Sequence, residues 1–207
     1  MGDYENVLKA AYQRLGQIEK KRDVYQEEIK ELSNDEKQES DKFLSYVIMR
    51  GISDDVREFL NLLLNNSKPR YQHFIIRNVT EHAIEYMYLM TNSNLIPEYF
   101  GKEAQIDLAE NIDMSNISQA YKNIGQDRYA SNRTSVKKMA KAIGEDKEKN
   151  GIPGLYDVFC IISENCHNSY FQEVVDEWSE NEIENNKFSL WVMSIVLVKL
   201  LEFEKTR

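Results

Sequence analysis

Residues 69–91, PRYQHFIIRNVTEHAIEYMYLMT, decide the fold class. Asn66 or Ser67 can cap a helix here, and Pro69 suits its first turn, where a missing N–H costs nothing. Ile75, Ile76, Val79, Ala83, Tyr86, Met87 and Met90 recur with the helical period and make one apolar stripe. The spacing predicts a central core helix over about 67–91. Away from the stripe stand Arg77, Asn78, Glu81, His82 and Glu85. Charged groups in the middle of a core helix need partners or a purpose.

Outward from this helix the same period recurs. Tyr4, Leu8, Ala11, Leu15, Ile18, Arg22, Tyr25, Ile29 and Leu32 step by four and three, so residues 3–32 read as one long helix with an apolar seam. Such a seam serves either a partner helix, in a homodimer, or the protein's own bundle. Ser33-Asn34-Asp35 ends that helix and caps a second, over 35–50; Ser53-Asp54-Asp55 then caps a third, with Val56, Phe59, Leu60, Leu63 and Leu64 inward. Turn residues mark a looser stretch over 92–133, with short helical pieces at 103–110 and 115–124. A helix over 134–143 ends at Gly144, and a charged loop over 145–152 follows. Pro153 opens a second long core helix, 153–179, and Asn185-Asn186 separates it from the last, 187–205. No alternating run argues for a sheet. The expectation is a single all-α domain over 1–207, a bundle of roughly seven to nine helices.

Charge narrows the function classes. With 26 Lys and Arg against 35 Asp and Glu, the net charge is -9. Nothing global draws such a chain to nucleic acid or to an anionic membrane. An RNA contact would need a local basic patch or a dimer groove. The longest apolar run, Phe188 to Phe203, is broken by Ser189, Ser194, Lys199 and Glu202 and reads as a core helix, with no membrane partner. Cys160 and Cys166, six apart on one helix, point about 120° away from each other and cannot bridge within it. With no basic-then-apolar leader at the start, the expected compartment is the reducing cytoplasm.

On the central helix, Arg77-Asn78-Val79-Thr80-Glu81-His82 has the form Arg, a polar residue, three more, then His. It resembles the Arg-x4-His signature of the HEPN superfamily, helical domains of many prokaryotic toxin and antiphage ribonucleases. The resemblance implies that Arg77 and His82 are a catalytic pair with Asn78 as polar support. It also implies two such motifs facing each other across a homodimer groove, an RNA substrate, and cleavage without metal or other cofactor. A cognate antitoxin or other protein partner would fit a toxin system. The chemistry is coherent: an imidazole exchanges a proton near neutral pH, and a guanidinium can hold a phosphate with two donors. Arg77 and His82 lie about 140° apart around a regular helix, however, whereas Arg77 and Glu81 share a face.

A second polar stripe lies on 153–179: Tyr156, Cys160, Ser163, His167 and Tyr170, beside apolar Phe159, Ile162 and Val174. Tyr-x6-Ser-x3-His here, with Arg-x3-Glu on the earlier helix, resembles a loosely defined group of bacterial helical proteins of unknown function. The likeness implies that Arg77, Glu81, Tyr156 and His167 meet in one pocket; Ser163 is a further supporting residue, and the stripe position puts His167 in the core or along a cleft. Glu164-x-x-His167 has the spacing used in di-iron bundles, and Glu81, His82 and Glu85 add donors; but two Glu-x-x-His motifs are needed and one is present, so no metal is expected. Finally, Arg128, Arg133, Lys137, Lys138 and Lys141 occur with no acid between 128 and 142. They form a candidate RNA-binding surface, with Tyr129 able to stack on a base, unless Glu145, Asp146 and Glu148 balance them.

The resemblance to HEPN domains implies a metal-independent endoribonuclease of toxin or defence type. The alternative is a non-catalytic helical module that binds a protein or a small ligand. A carboxylate–histidine metal protein is the third.

Overall fold

The computed structural model describes residues 2–65, 68–99, 134–167 and 182–207. They form an all-α bundle, with no strand among them and one isolated bridge, Lys149 to Ile152. The helices are α1 (Gly2–Glu28), α2 (Asn34–Glu39), α3 (Asp41–Leu64), α4 (Pro69–Thr91), α5 (Val136–Ala142), α6 (Leu155–His167) and α7 (Glu182–Lys205), with a 3-10 turn at Ser93–Leu95. The helical pieces expected at 103–110 and 115–124 lie outside the described residues, as do Arg128, Tyr129 and Arg133.

Helix α4 is central, in contact with α3, α5, α6 and α7. Lys68 stands at its N-cap without a side-chain cap bond, and Pro69 opens the first turn. Ile76, Val79, Ala83, Tyr86 and Met87 are buried as the stripe predicts, while Ile75 and Met90 are half-buried. Burial also takes in Gln72, Thr80 and Glu85. Thr80 is satisfied by its own helix, its hydroxyl donating to the Ile76 carbonyl at 2.7 Å.

The α1 seam is covered by the chain's own bundle. Ala11, Leu15, Ile18 and Ile29 are buried, and α1 packs on α3 and α7. Arg22 turns to Asp23 at the surface, so the one charge in the seam is not trapped. Helix α1 ends at Glu28, short of the expected 32.

Two expected breaks do not occur. The second and third helices are one, α3, and Ser53 lies buried inside it rather than at a cap. Its hydroxyl donates to the Arg50 carbonyl at 2.8 Å, so it does not need a helix end. Leu44, Ile48, Met49, Ile52, Val56, Phe59, Leu60 and Leu63 form an unbroken buried stripe across the supposed junction. At roughly 1.5–3 kcal/mol for each large side chain buried, that stripe outweighs local capping preference. The break comes earlier, at Ser40, whose hydroxyl caps α3 by accepting from the Phe43 amide. Likewise Asn185 and Asn186 fall inside α7. The side chain of Asn186 accepts a hydrogen bond from Gln72 at 2.7 Å, which ties α7 to α4.

At the other end of α4 sits a buried carboxylate. Glu204 of α7 accepts from Tyr25 of α1 at 2.8 Å and from Tyr86 of α4, and pairs with Lys21 at 3.1 Å and Arg207 at 3.5 Å. Tyr86 also meets Ser45 of α3 at 2.9 Å, and Arg207 reaches Asp41 at 3.1 Å. One acid therefore gathers four helices. Burial pushes the Glu204 carboxyl up, but hydrogen bonds from Tyr86, Tyr25 and Lys21 and the lysine's charge outweigh it and hold it below its ordinary value. Tyr25 is pushed up to about 12, first by burial and then by Glu204. Tyr86 moves further the same way for the same reasons.

Between α5 and α6 the chain makes a tight hairpin. Gly144, Asn150 and Gly151 take positive φ there. Gly154 is closely enclosed: a Cβ on it would stand 2.7 Å from the Glu145 carbonyl oxygen and from backbone atoms of Lys147.

Two stability outcomes follow from these contacts. Removing one partner of a buried pair strands the others, so Glu204→Ala is expected to cost about 3–5 kcal/mol in urea unfolding, and Tyr86→Phe about 1–2 kcal/mol. The depressed Glu204 carboxyl contributes stability that is present above the unfolded value, about 4.3, and lost as pH falls through the lower folded value. The raised Tyr25 acts oppositely, its contribution fading as pH rises from about 10 toward 12. Urea midpoints measured against pH in wild type and Glu204→Gln check both limbs, and an acid limb unchanged in the variant would exclude Glu204 as its source. Gly154→Ala is expected to lower the melting temperature by several degrees, roughly that of a 1–3 kcal/mol overpacking, read by circular dichroism.

Candidate functional site

The outward side of α4 between α3 and α6 carries the motif residues. Tyr71 and Phe74 are 46% and 49% exposed there, and Asn78 is exposed. Arg77, Glu81 and His82 are half-buried. His82 is therefore neither sealed in the core nor fully free. Its Nδ1 lies 2.9 Å from the Asn78 carbonyl oxygen one turn back. A carbonyl only accepts, so Nδ1 carries the proton in that contact and a neutral ring keeps an acceptor at Nε2.

Arg77 and His82 turn toward different neighbours. The side chain of Asn78, on the His82 side, donates to Asp55 of α3 at 2.7 Å. Arg77 reaches the other way, its Nε donating to Ser163 of α6 at 3.1 Å. Its guanidinium carbon lies 5.3 Å from the centre of the Phe159 ring. Within one chain the pair thus flanks the outward face of α4 from its two edges, as their angular separation of about 140° requires.

The groove between α4 and α6 does collect the supporting residues, though not all of them. Arg77, Glu81 and Ser163 come together, with Glu81 a loose 4.0 Å from the guanidinium. Tyr156 stacks beside Phe159, ring centres 6.2 Å apart and planes 19° apart. A hydrogen bond with Cys160, and secondly burial, push the Tyr156 hydroxyl above its ordinary range. Cys166 lies close enough for Arg77 to oppose the upward push that burial gives its thiol. Both cysteines are free, as their angular separation predicts. His167 stands exposed at the end of α6, neither buried nor bonded to Arg77. The remainder of the helix expected over 153–179, with Tyr170 and Val174, lies outside the described residues.

Helix α5 borders the same groove. Lys137, Lys138 and Lys141 are exposed, and Lys137 Nζ lies 6.0 Å from the centre of the Tyr156 ring. Glu145, one of the acids expected to balance these lysines, is turned inward. It pairs with Lys199 of α7 at 2.7 Å and accepts from the Leu155 amide at the start of α6. The basic face of α5 is less compensated than its sequence surroundings imply.

Among the described residues no three His, Cys, Asp or Glu side chains converge as metal ligands. Glu81 and His82 sit on α4 while Glu164 and His167 sit on α6, and the four form no such group. No described helix is long and apolar enough to cross a membrane.

The sequence reading missed two partners. Phe159 was only an apolar neighbour, although its three-residue step from Tyr156 puts the two rings side by side. Asp55 was only a cap, and the loss of the break at Ser53 leaves it free to hold Asn78. Comparison with known proteins finds no matching family model, curated protein or solved structure.

Proposed function

We propose that the protein is a non-catalytic helical module that binds an anionic ligand in the groove between α4 and α6, with Arg77 as the anion-holding group. The observation that carries this reading is the state of that guanidinium. Ser163 and Phe159 fix it, its side chain is 43% exposed, and the nearest carboxylate among the described residues is 4.0 Å away. Among the described residues its two terminal nitrogens donate no hydrogen bond, and a preorganised fork of this kind suits phosphate, sulfate or carboxylate. Lys137 and its neighbours on α5 add positive potential at the same opening.

A binding measurement tests it. Inorganic phosphate or pyrophosphate is expected to raise the unfolding free energy of the wild-type protein, by about 2.7 kcal/mol at a hundred times the dissociation constant. Arg77→Ala should abolish the effect while keeping the helical circular dichroism signal. Equal stabilisation of both proteins would remove Arg77 from the role.

The HEPN-like endoribonuclease is the second reading, and the half-buried His82 with an acceptor at Nε2 favours it. His82 would move the proton and Arg77 would hold the phosphate. Because the two flank α4 from opposite edges, joint action on one phosphodiester takes a second copy of the chain. Purified protein with total RNA and EDTA is then expected to show cleavage that His82→Ala abolishes without loss of fold. RNA left intact by the wild type, or cut equally by the variant, ends this reading.

A further inference from the structure

Four side chains from three helices form a run across the groove. Lys137 of α5 lies 6.0 Å from the ring of Tyr156; Tyr156 lies 6.2 Å from Phe159 and nearly parallel to it; and Phe159 lies 5.3 Å from the guanidinium of Arg77 on α4. The order is cation, ring, ring, cation. From this order we infer that the ligand of the groove is an aromatic anion, a planar ring bearing a phosphate or similar acidic group; the inference rests on the anion-binding reading above.

Among the described residues the run is short of acid. Glu81 stands 4.0 Å from Arg77, beyond hydrogen-bond distance, and Lys137 contacts the Tyr156 ring rather than a carboxylate. Asp157, on the same helix as the rings, accepts from the Gly154 amide at 3.1 Å, and Glu145 is held by Lys199. Both cations therefore keep capacity for an incoming negative group. Tyr156 and Phe159 are half-buried, so each also keeps ring surface in contact with water. A bare anion would satisfy the cations and leave the rings wet. An uncharged aromatic would cover the rings and forgo the cations. A ring with an acidic substituent uses both, through stacking and a charge-assisted hydrogen bond. Two sources carry this chemistry, a nucleoside monophosphate and a simple aryl acid.

Calorimetric titration of the full chain with inorganic phosphate, phenyl phosphate, phenol and adenosine monophosphate tests the inference. Phenyl phosphate is expected to bind about tenfold tighter than inorganic phosphate, and phenol not measurably. Tyr156→Leu should erase most of that preference while leaving phosphate binding in place, and Lys137→Gln, a surface change that the fold tolerates, should weaken both phosphates. Adenosine monophosphate binding tighter than phenyl phosphate identifies the source as a nucleotide; the reverse identifies an aryl acid. If inorganic and phenyl phosphate bind equally, or Tyr156→Leu keeps the preference, the aromatic requirement is wrong although anion binding stands. If neither phosphate binds, or Arg77→Ala binds as the wild type does, the anion reading falls and takes this inference with it.

Discussion

A carboxylate with no exposed surface must be answered by donors, and Glu204 is answered from several elements at once. Tyr25 and Lys21 come from α1, Tyr86 from α4, and Arg207 from just beyond α7, while Ser45 of α3 steadies Tyr86. Such an arrangement contributes little net energy relative to an apolar core of the same shape, because desolvating the charges costs several kcal/mol. What it imposes is register. Sliding α7 by one residue would take the carboxylate away from both hydroxyls and leave a buried charge unanswered. The packing of α7 against α1 and α4 follows from that constraint, and the position of the groove follows from the packing.

The helices were legible in the sequence because their apolar spacing is regular and Pro and Gly are scarce. The limits of that reading lay where local and tertiary preferences compete. Ser53-Asp54-Asp55 has the composition of a cap, yet continuous apolar residues on both sides favour one long helix, and a serine hydroxyl can be satisfied within it. Asn185-Asn186 looked like a separator for the same reason, and a cross-helix bond to Gln72 explains why it is not. Capping signals state only what a residue can do at an end; buried area decides whether there is an end.

Of the candidate residues, the sequence offered the types and not their geometry. Arg77, Glu81 and Ser163 meet as the spacing on two helices allowed. The direction of Arg77 could not be read, because a side chain at the edge of a helix face can lean toward either neighbour. Its lean toward α6 separates it from His82 and joins it to Phe159, and this shifts the balance from cleavage chemistry toward binding. The inward turn of Glu145 was equally hidden. From the sequence it is one more acid beside a basic stretch, and only the fold shows it engaged with Lys199 behind that stretch.

The two bonds that leave α4 at Gln72 and Tyr86 bracket the span that carries Arg77. A rod clamped at both ends does not slide or roll. The opposite wall, α6, is moored at its first turn to α7 through Glu145. An occupant therefore meets two walls that are both secured to α7.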